Sequence, residues 1–225
     1  MKQKCKNVLR RHPLATAAGY LLLYLAVFQL LQLWQRPVLQ VHCRLDDMMP
    51  FWKWAVIPYV LWFAWVPAVF LLLLRRAPEA YWKALCGQAV GTATALTLYV
   101  LLPTGLHLRQ RVYGTDLAAQ LLRLIYRVDP PVNVCPSLHV FVTVLLLLVL
   151  LGTPGVVSTA ARHLNVWIAL AICTSTVLID QHSVIDVACG LLLALGVYGR
   201  VCRTQARQPE RTPRRRAWAG SAGGR

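Results

Sequence analysis

The sequence predicts an all-α polytopic membrane protein, a bundle of about six transmembrane helices. Of its 225 residues 57% are hydrophobic and only 14% charged, and the mean hydropathy is +0.52. Apolar runs recur along the whole chain, several close to the ~20 residues that a helix needs to cross ~30 Å of hydrocarbon. Backbone polar groups in lipid have to be satisfied within the segment, which makes these runs helices.

The first run, Leu14 to Trp34, is too long and too weakly terminated for a cleaved signal peptide, so it is expected to stay as an anchor. The second spans Phe51 to Leu74 and the third Trp82 to Leu102, each bounded by charge or proline. The fourth is placed at Pro136 to Leu151, the fifth at Leu164 to Ile179 and the sixth at Val184 to Val201. Between the third and fourth lies the longest loop, Thr104 to Cys135. Within it Asp116 can cap a helix start, and Leu117, Leu121, Leu122, Ile125 and Tyr126 recur at helical spacing with Arg123 and Arg127 opposite. An interfacial helix over Asp116 to Asp129 fits, and a loop of this length is usually functional.

The formal charge of +16 suggests membrane topology and no nucleic-acid partner, because the basic residues sit at the chain ends and in short loops. With the N-terminus inside, the inner face receives Lys2, Lys4, Lys6, Arg10, Arg11, Arg75, Arg76, Lys83, Arg162 and the arginines from Arg200 onward. The outer face receives Arg36, Arg44, Lys53, Arg109, Arg111, Arg123 and Arg127. The expected organisation is a basic cytoplasmic N-terminus at 1–13, a six-helix membrane domain at 14–202 and a basic cytoplasmic tail at 203–225. The tail is rich in Arg, Gly, Ala and Pro and is read as disordered. Both termini would be cytoplasmic in a plasma or inner membrane, with membrane lipids as the surroundings. Trp34, Trp52, Trp54 and Trp82 read as headgroup-level anchors. The seven cysteines contain no C-x-x-C pair and imply no metal site; Cys43 and Cys135 fall in loops on the same side, either as a disulfide or as two unrelated thiols.

Ionisable groups at the membrane edge are costly unless they have a task, and here they cluster at the outer ends of the last three spans. His107, Arg109 and Arg111 follow the third span, P-S-L-H from Pro136 to His139 opens the fourth, and H-S-V-I-D from His182 to Asp186 opens the sixth. His182 and Asp186 are four apart, hence on one helical face, where the carboxylate can hold one imidazole nitrogen and leave the other free to attack. His139 stands at the same membrane level and can give a proton to a leaving alkoxide. Arg109 offers a planar fork for phosphate oxygens, and Ser137, beside a helix N-terminus, offers further donors. Asp46 and Asp47 read as loop structure, and Asp180 is too close in sequence to share a helical face with His182.

The stretches L-D-D-M-M-P-F (Leu45 to Phe51), Y-V-L-L-P-T (Tyr99 to Thr104), Y-R-V-D-P-P-V-N-V-C-P-S-L-H-V (Tyr126 to Val140) and S-T-V-L-I-D-Q-H-S-V-I-D-V-A-C-G (Ser175 to Gly190) resemble the type 2 phosphatidic acid phosphatase superfamily. The likeness is greatest to its inositolphosphotransferase-like and sphingolipid-synthase-like branch. The resemblance implies a helical core with its site on the non-cytoplasmic face, a lipid phosphate as substrate and no cofactor or metal. It assigns His182 as the phosphohistidine, Asp186 as its orienter and His139 as the general acid. This chain departs from the family at Leu102, where a Lys is usual, at Gln110, where a Pro follows the Arg, and at Ser175-Thr176, where Ser-Arg is common. Three functions follow as expectations: hydrolysis of a lipid phosphate, transfer of a phosphorylated headgroup to another alcohol, or lipid binding by a degraded site.

Overall fold

The computed structural model describes residues 10–203; the expectations for Lys2, Lys4, Lys6 and for the tail beyond Arg203 lie outside the described residues. Helix α1 covers Pro13–Trp34, with proline at its first position where no amide hydrogen is needed. A short α2, Arg44–Met48, and a 3-10 turn, Lys53–Ala55, lead into α3, Val56–Arg76. Helix α4 is Pro78–Leu101 and α5, Leu117–Val128, lies in the long loop, capped by Asp116 as its sequence predicts. Helices α6, Leu138–Leu151, α7, Thr159–Leu178, and α8, Val184–Val197, complete the bundle, α8 running on as a π-helical turn over Tyr198–Arg203. Two dipeptides, β1 (Leu39–Gln40) and β2 (Thr104–Gly105), pair in parallel and tie the segment after α1 to the one after α4.

Five of these helices are long and apolar enough to cross a membrane: α1, α3 with its leading turn, α4, α7, and α8 with its trailing turn. Helix α6 has 14 residues, ~21 Å at 1.5 Å per residue, less than the hydrocarbon thickness. It is apolar all round because it is the centre of the bundle, packed by α3, α4, α7 and α8, with Phe141, Leu145, Leu146 and Leu150 fully buried.

Helix starts differ from the sequence reading where capping outweighs hydropathy. The fourth helix begins at Leu138 because Ser137 takes the N-cap, its Oγ accepting from Val140 N. The third begins earlier, at Pro78, with Glu79 in its first turn. The fifth begins at Thr159 behind a Ser158 cap, five residues before the first long apolar stretch. In each case unsatisfied amide groups of the first turn recruit the nearest side-chain oxygen or a proline.

The chain passes back and forth, gathering at one end of the bundle the ends of α1, α4 and α7 and the starts of α3, α6 and α8. The opposite end is closed by Arg76 Nη1 donating to Val156 O (2.9 Å), Arg162 Nη2 to Leu151 O (2.6 Å) and Tyr81 OH to Pro13 O (2.7 Å). Helices α6 and α8 approach at Gly190, where an added Cβ would stand 2.5 Å from Ser137 O and 3.2 Å from Val140 Cβ. Gly190→Ala is therefore expected to lower the melting temperature in detergent, by the equivalent of ~1–3 kcal/mol, as α6 is forced away. Gly196→Ala, which meets nothing within 4 Å, should be neutral or slightly stabilising in the same thermal melt.

Candidate functional site

The site is built on the start of α8. Asp180 takes a left-handed conformation (φ +52°) that turns the chain sharply after α7, and the amides of Gln181 and His182 both donate to Thr176 O at 3.0 Å. Ser183 caps α8, and Asp186 closes a capping box by accepting from Ser183 N at 2.9 Å. The same Asp186 Oδ2 lies 3.4 Å from His182 Nδ1, a long contact that fixes which face of the imidazole is turned away. Asp186 is fully buried, while the His182 side chain is 10% exposed. The two side chains are in contact, but not by the shared helical face that the spacing predicts: His182 precedes the Ser183 cap, outside α8, and Asp186 reaches it from the capping box.

His139, in the first turn of α6, faces it. The two imidazole centroids are 6.5 Å apart. His139 stacks on Tyr59 with centroids 4.3 Å apart and on Trp62 at 4.3 Å, and its Nε2 is buried without a partner among the described residues. Both histidines line a cavity of about 430 Å³. Asp129, Asn133 and Gln181 share the end with the histidines, and the rest runs between α1, α3 and α4 past the mostly apolar Leu21, Leu25, Phe28, Phe63 and Val66, with Gln88 and Thr92 among them. One end of the cavity can hold a polar group while the other takes a chain.

Arg109 and Ser137 are placed differently. Arg109 donates to Tyr126 O (3.0 Å), Asp129 O (2.5 Å) and Gln181 Oε1 (2.9 Å), with its guanidinium 4.5 Å over the Tyr126 ring. It anchors α5 and the His182 turn, and it does not line the cavity. Ser137 is fully buried, its Oγ spent on the α6 cap and its amide donating to Asp186 O at 3.0 Å. No Lys or Arg among the described residues lines the cavity. Nor do the described residues hold a group of three or more His, Cys, Asp or Glu placed for a metal ion, and Cys43 and Cys135 are both free thiols.

Asp46, read from sequence as loop structure, supports the site from behind. Its carboxylate accepts from Ser183 Oγ (2.7 Å), Val184 N (2.8 Å) and Cys43 N (2.8 Å), so it joins α2 to the α8 start. Asp129 joins α1 to the His182 turn, accepting from Gln32 Nε2 (3.0 Å) and Gln181 Nε2 (2.7 Å). Neither had a local signal: the partners are far apart in sequence. Tyr59 and Trp62 were hidden inside an apolar span. No family model, curated protein or solved structure matches the chain.

Burial works against ionisation of Asp46, but the hydrogen bonds from Val184, Ser183 and Cys43 outweigh it and hold its pKa below the ordinary value. Its folded pKa is depressed, so its contribution is present above pH ~4 and fades as pH falls further. Asp46→Ala, which strands Val184 N–H and Ser183 Oγ, should cost ~1–3 kcal/mol at neutral pH in denaturation experiments. Asp180 is the opposite case. Burial raises its pKa to about 6, helped by nearby Asp46 and opposed by a main-chain hydrogen bond from Gln110, and Oδ2 has no partner among the described residues. A raised carboxyl pKa means stability greatest at low pH, falling between ~4 and the folded value, and constant above it. Asp180→Asn, which tolerates the same backbone, should raise stability by up to ~2 kcal/mol at pH 7.5 with the gain vanishing toward pH 4, read by melts across that range.

Proposed function

We propose that the chain is an integral membrane enzyme that transfers the phosphoryl group of a lipid phosphate through a phosphohistidine on His182. The observation that carries this is the facing pair: His182 held at Nδ1 by a buried carboxylate, and His139 across a cavity that both line and whose wall is otherwise mostly apolar. The six-span arrangement, with cytoplasmic termini and the site on the non-cytoplasmic face of a plasma or inner membrane, is supported by the lysine and arginine distribution and by the likeness to the type 2 phosphatidic acid phosphatases.

In this reading a lipid phosphate reaches the cavity from the side, its chain between α1, α3 and α4. His182 Nε2 attacks phosphorus as the bond to the lipid oxygen breaks. His139, which has no carboxylate on it among the described residues and takes up its proton with the incoming phosphate anion, delivers that proton to the leaving oxygen. Water then attacks phosphorus, its proton passes to His139, the nitrogen–phosphorus bond breaks and inorganic phosphate leaves. Asp186 keeps the His182 tautomer and steadies the charge on its ring.

A second reading, headgroup transfer to another alcohol in place of water, is favoured by the absence of Lys and Arg from the described cavity wall. A phosphodiester carries one negative charge where a monoester carries up to two, and needs fewer cations. Product analysis with and without an acceptor alcohol separates the readings, since only hydrolysis releases inorganic phosphate.

The test is phosphate release from phosphatidic acid, its lyso form, isoprenyl diphosphate and sphingosine phosphate in mixed micelles. His182→Ala should lose turnover at least ~1,000-fold, and His139→Ala by ~10²–10⁴-fold, both keeping the wild-type melt. A folded His182→Ala protein that retained its rate would sink the mechanism.

A further inference from the structure

We propose that Asn133 is a substrate-binding residue, its carboxamide donating from Nδ2 to a phosphoryl oxygen and accepting at Oδ1 from a hydroxyl of the same ligand. The assignment rests on the phosphoryl-transfer reading above. Asn133 lies between α5 and α6 with φ +58°, and its amide donates to Thr104 O at 2.7 Å. The next two amides, of Val134 and Cys135, both donate to Thr104 Oγ1 at 3.1 Å. The segment is clamped to β2, so the side chain is held where it is.

That side chain is 3% exposed and lines the cavity with Asp129, Gln181 and both histidines, yet neither Nδ2 nor Oδ1 has a partner among the described residues. Buried amides are nearly always paired, because the water they gave up has to be replaced. Gln32 and Gln181, in the same wall, conform: each donates to Asp129. The polar end of the cavity therefore contains one amide with donor and acceptor both open. Arg109 spends both terminal nitrogens on Tyr126, Asp129 and Gln181, and its Nε, which has no partner among the described residues, belongs to a side chain that does not line the cavity. A phosphate between the histidines meets Asn133 as a neutral donor in a wall to which the described residues bring no Lys or Arg.

Asparagine also tolerates a left-handed backbone, and that alone would account for its presence here. Two variants separate the roles. Asn133→Gly accepts the backbone and removes the amide; Asn133→Asp keeps shape and backbone tolerance but replaces the donor with a repelling oxygen. The full chain, purified in detergent, is melted with and without orthovanadate as a phosphate mimic and assayed on the lipid phosphates above. Orthovanadate should stabilise wild type, both variants should lose that response, and kcat/KM should fall about tenfold or more while the ligand-free melt of Asn133→Gly stays near wild type. A glycine variant with the wild-type orthovanadate response would overturn the assignment, as would a wild type that orthovanadate does not stabilise. If wild type is stabilised, the glycine variant is not, and no phosphohistidine is trapped, the phosphoryl-transfer reading fails while the Asn133 contact stands.

Discussion

Two helix starts, those of α6 and α8, meet inside an apolar bundle, and most of the polar groups there find partners within the protein, His139 Nε2, Asp186 Oδ1 and the Asn133 carboxamide being exceptions among the described residues. That demand for partners organises the rest. The first amides of a helix are unsatisfied by its own carbonyls, and in a buried setting each one left unpaired is costly. Ser137 and Ser183 cap the two helices, the Ser137 amide reaches across to Asp186 O, and Asp46 comes in from α2 to take Ser183 and Val184. Because Asp186 completes a capping box, its carboxylate is held for structural reasons, and His182 Nδ1 finds it already in place. Gly190 is needed because the two helices come so near that a methyl group would strike the Ser137 carbonyl.

The long helices were legible because membrane burial imposes length and composition on sequence. The His182 and Asp186 contact was legible because it is local, four residues apart, although His182 stands before the Ser183 cap and meets Asp186 through the capping turn, with no helical face shared. Asp116 capping α5 was legible for the same reason. What sequence concealed is what depends on distant partners. Arg109 has the chemistry of a phosphate ligand, but three acceptors from α5, its end and the His182 turn claim its guanidinium. Asp46 looked like a loop residue because nothing near it reports Ser183, 137 positions away. The start of α7 was read too late because polar Arg162 and His163 interrupt the hydropathy, while the Ser158 cap sets the boundary.

The two histidines differ in how they are held. His182 is fixed by hydrogen bonds, through its amide to Thr176 O and its ring to Asp186. His139 is fixed by packing, between Tyr59 and Trp62, and its Nε2 has no partner among the described residues. Chemically identical side chains thus stand in different surroundings, which is the condition the proposed division of nucleophile and acid requires.

Helix α1 supplies one wall of the cavity yet stands largely outside the core: of its residues only Gln32 is buried. It is fastened by a few polar ties, Tyr20 to Thr92 and Gln32 to Asp129 among them, and by a row of rings from Tyr20 to Tyr99. Of the α1 side chains on the cavity, Phe28 belongs to that ring row and packs on the core, while Leu21 and Leu25 take no part in either. The α1 wall of the cavity and the central packing of the bundle thus draw on largely separate residues, so that a change at Leu21 or Leu25 reshapes the cavity and leaves α6 and α8 untouched.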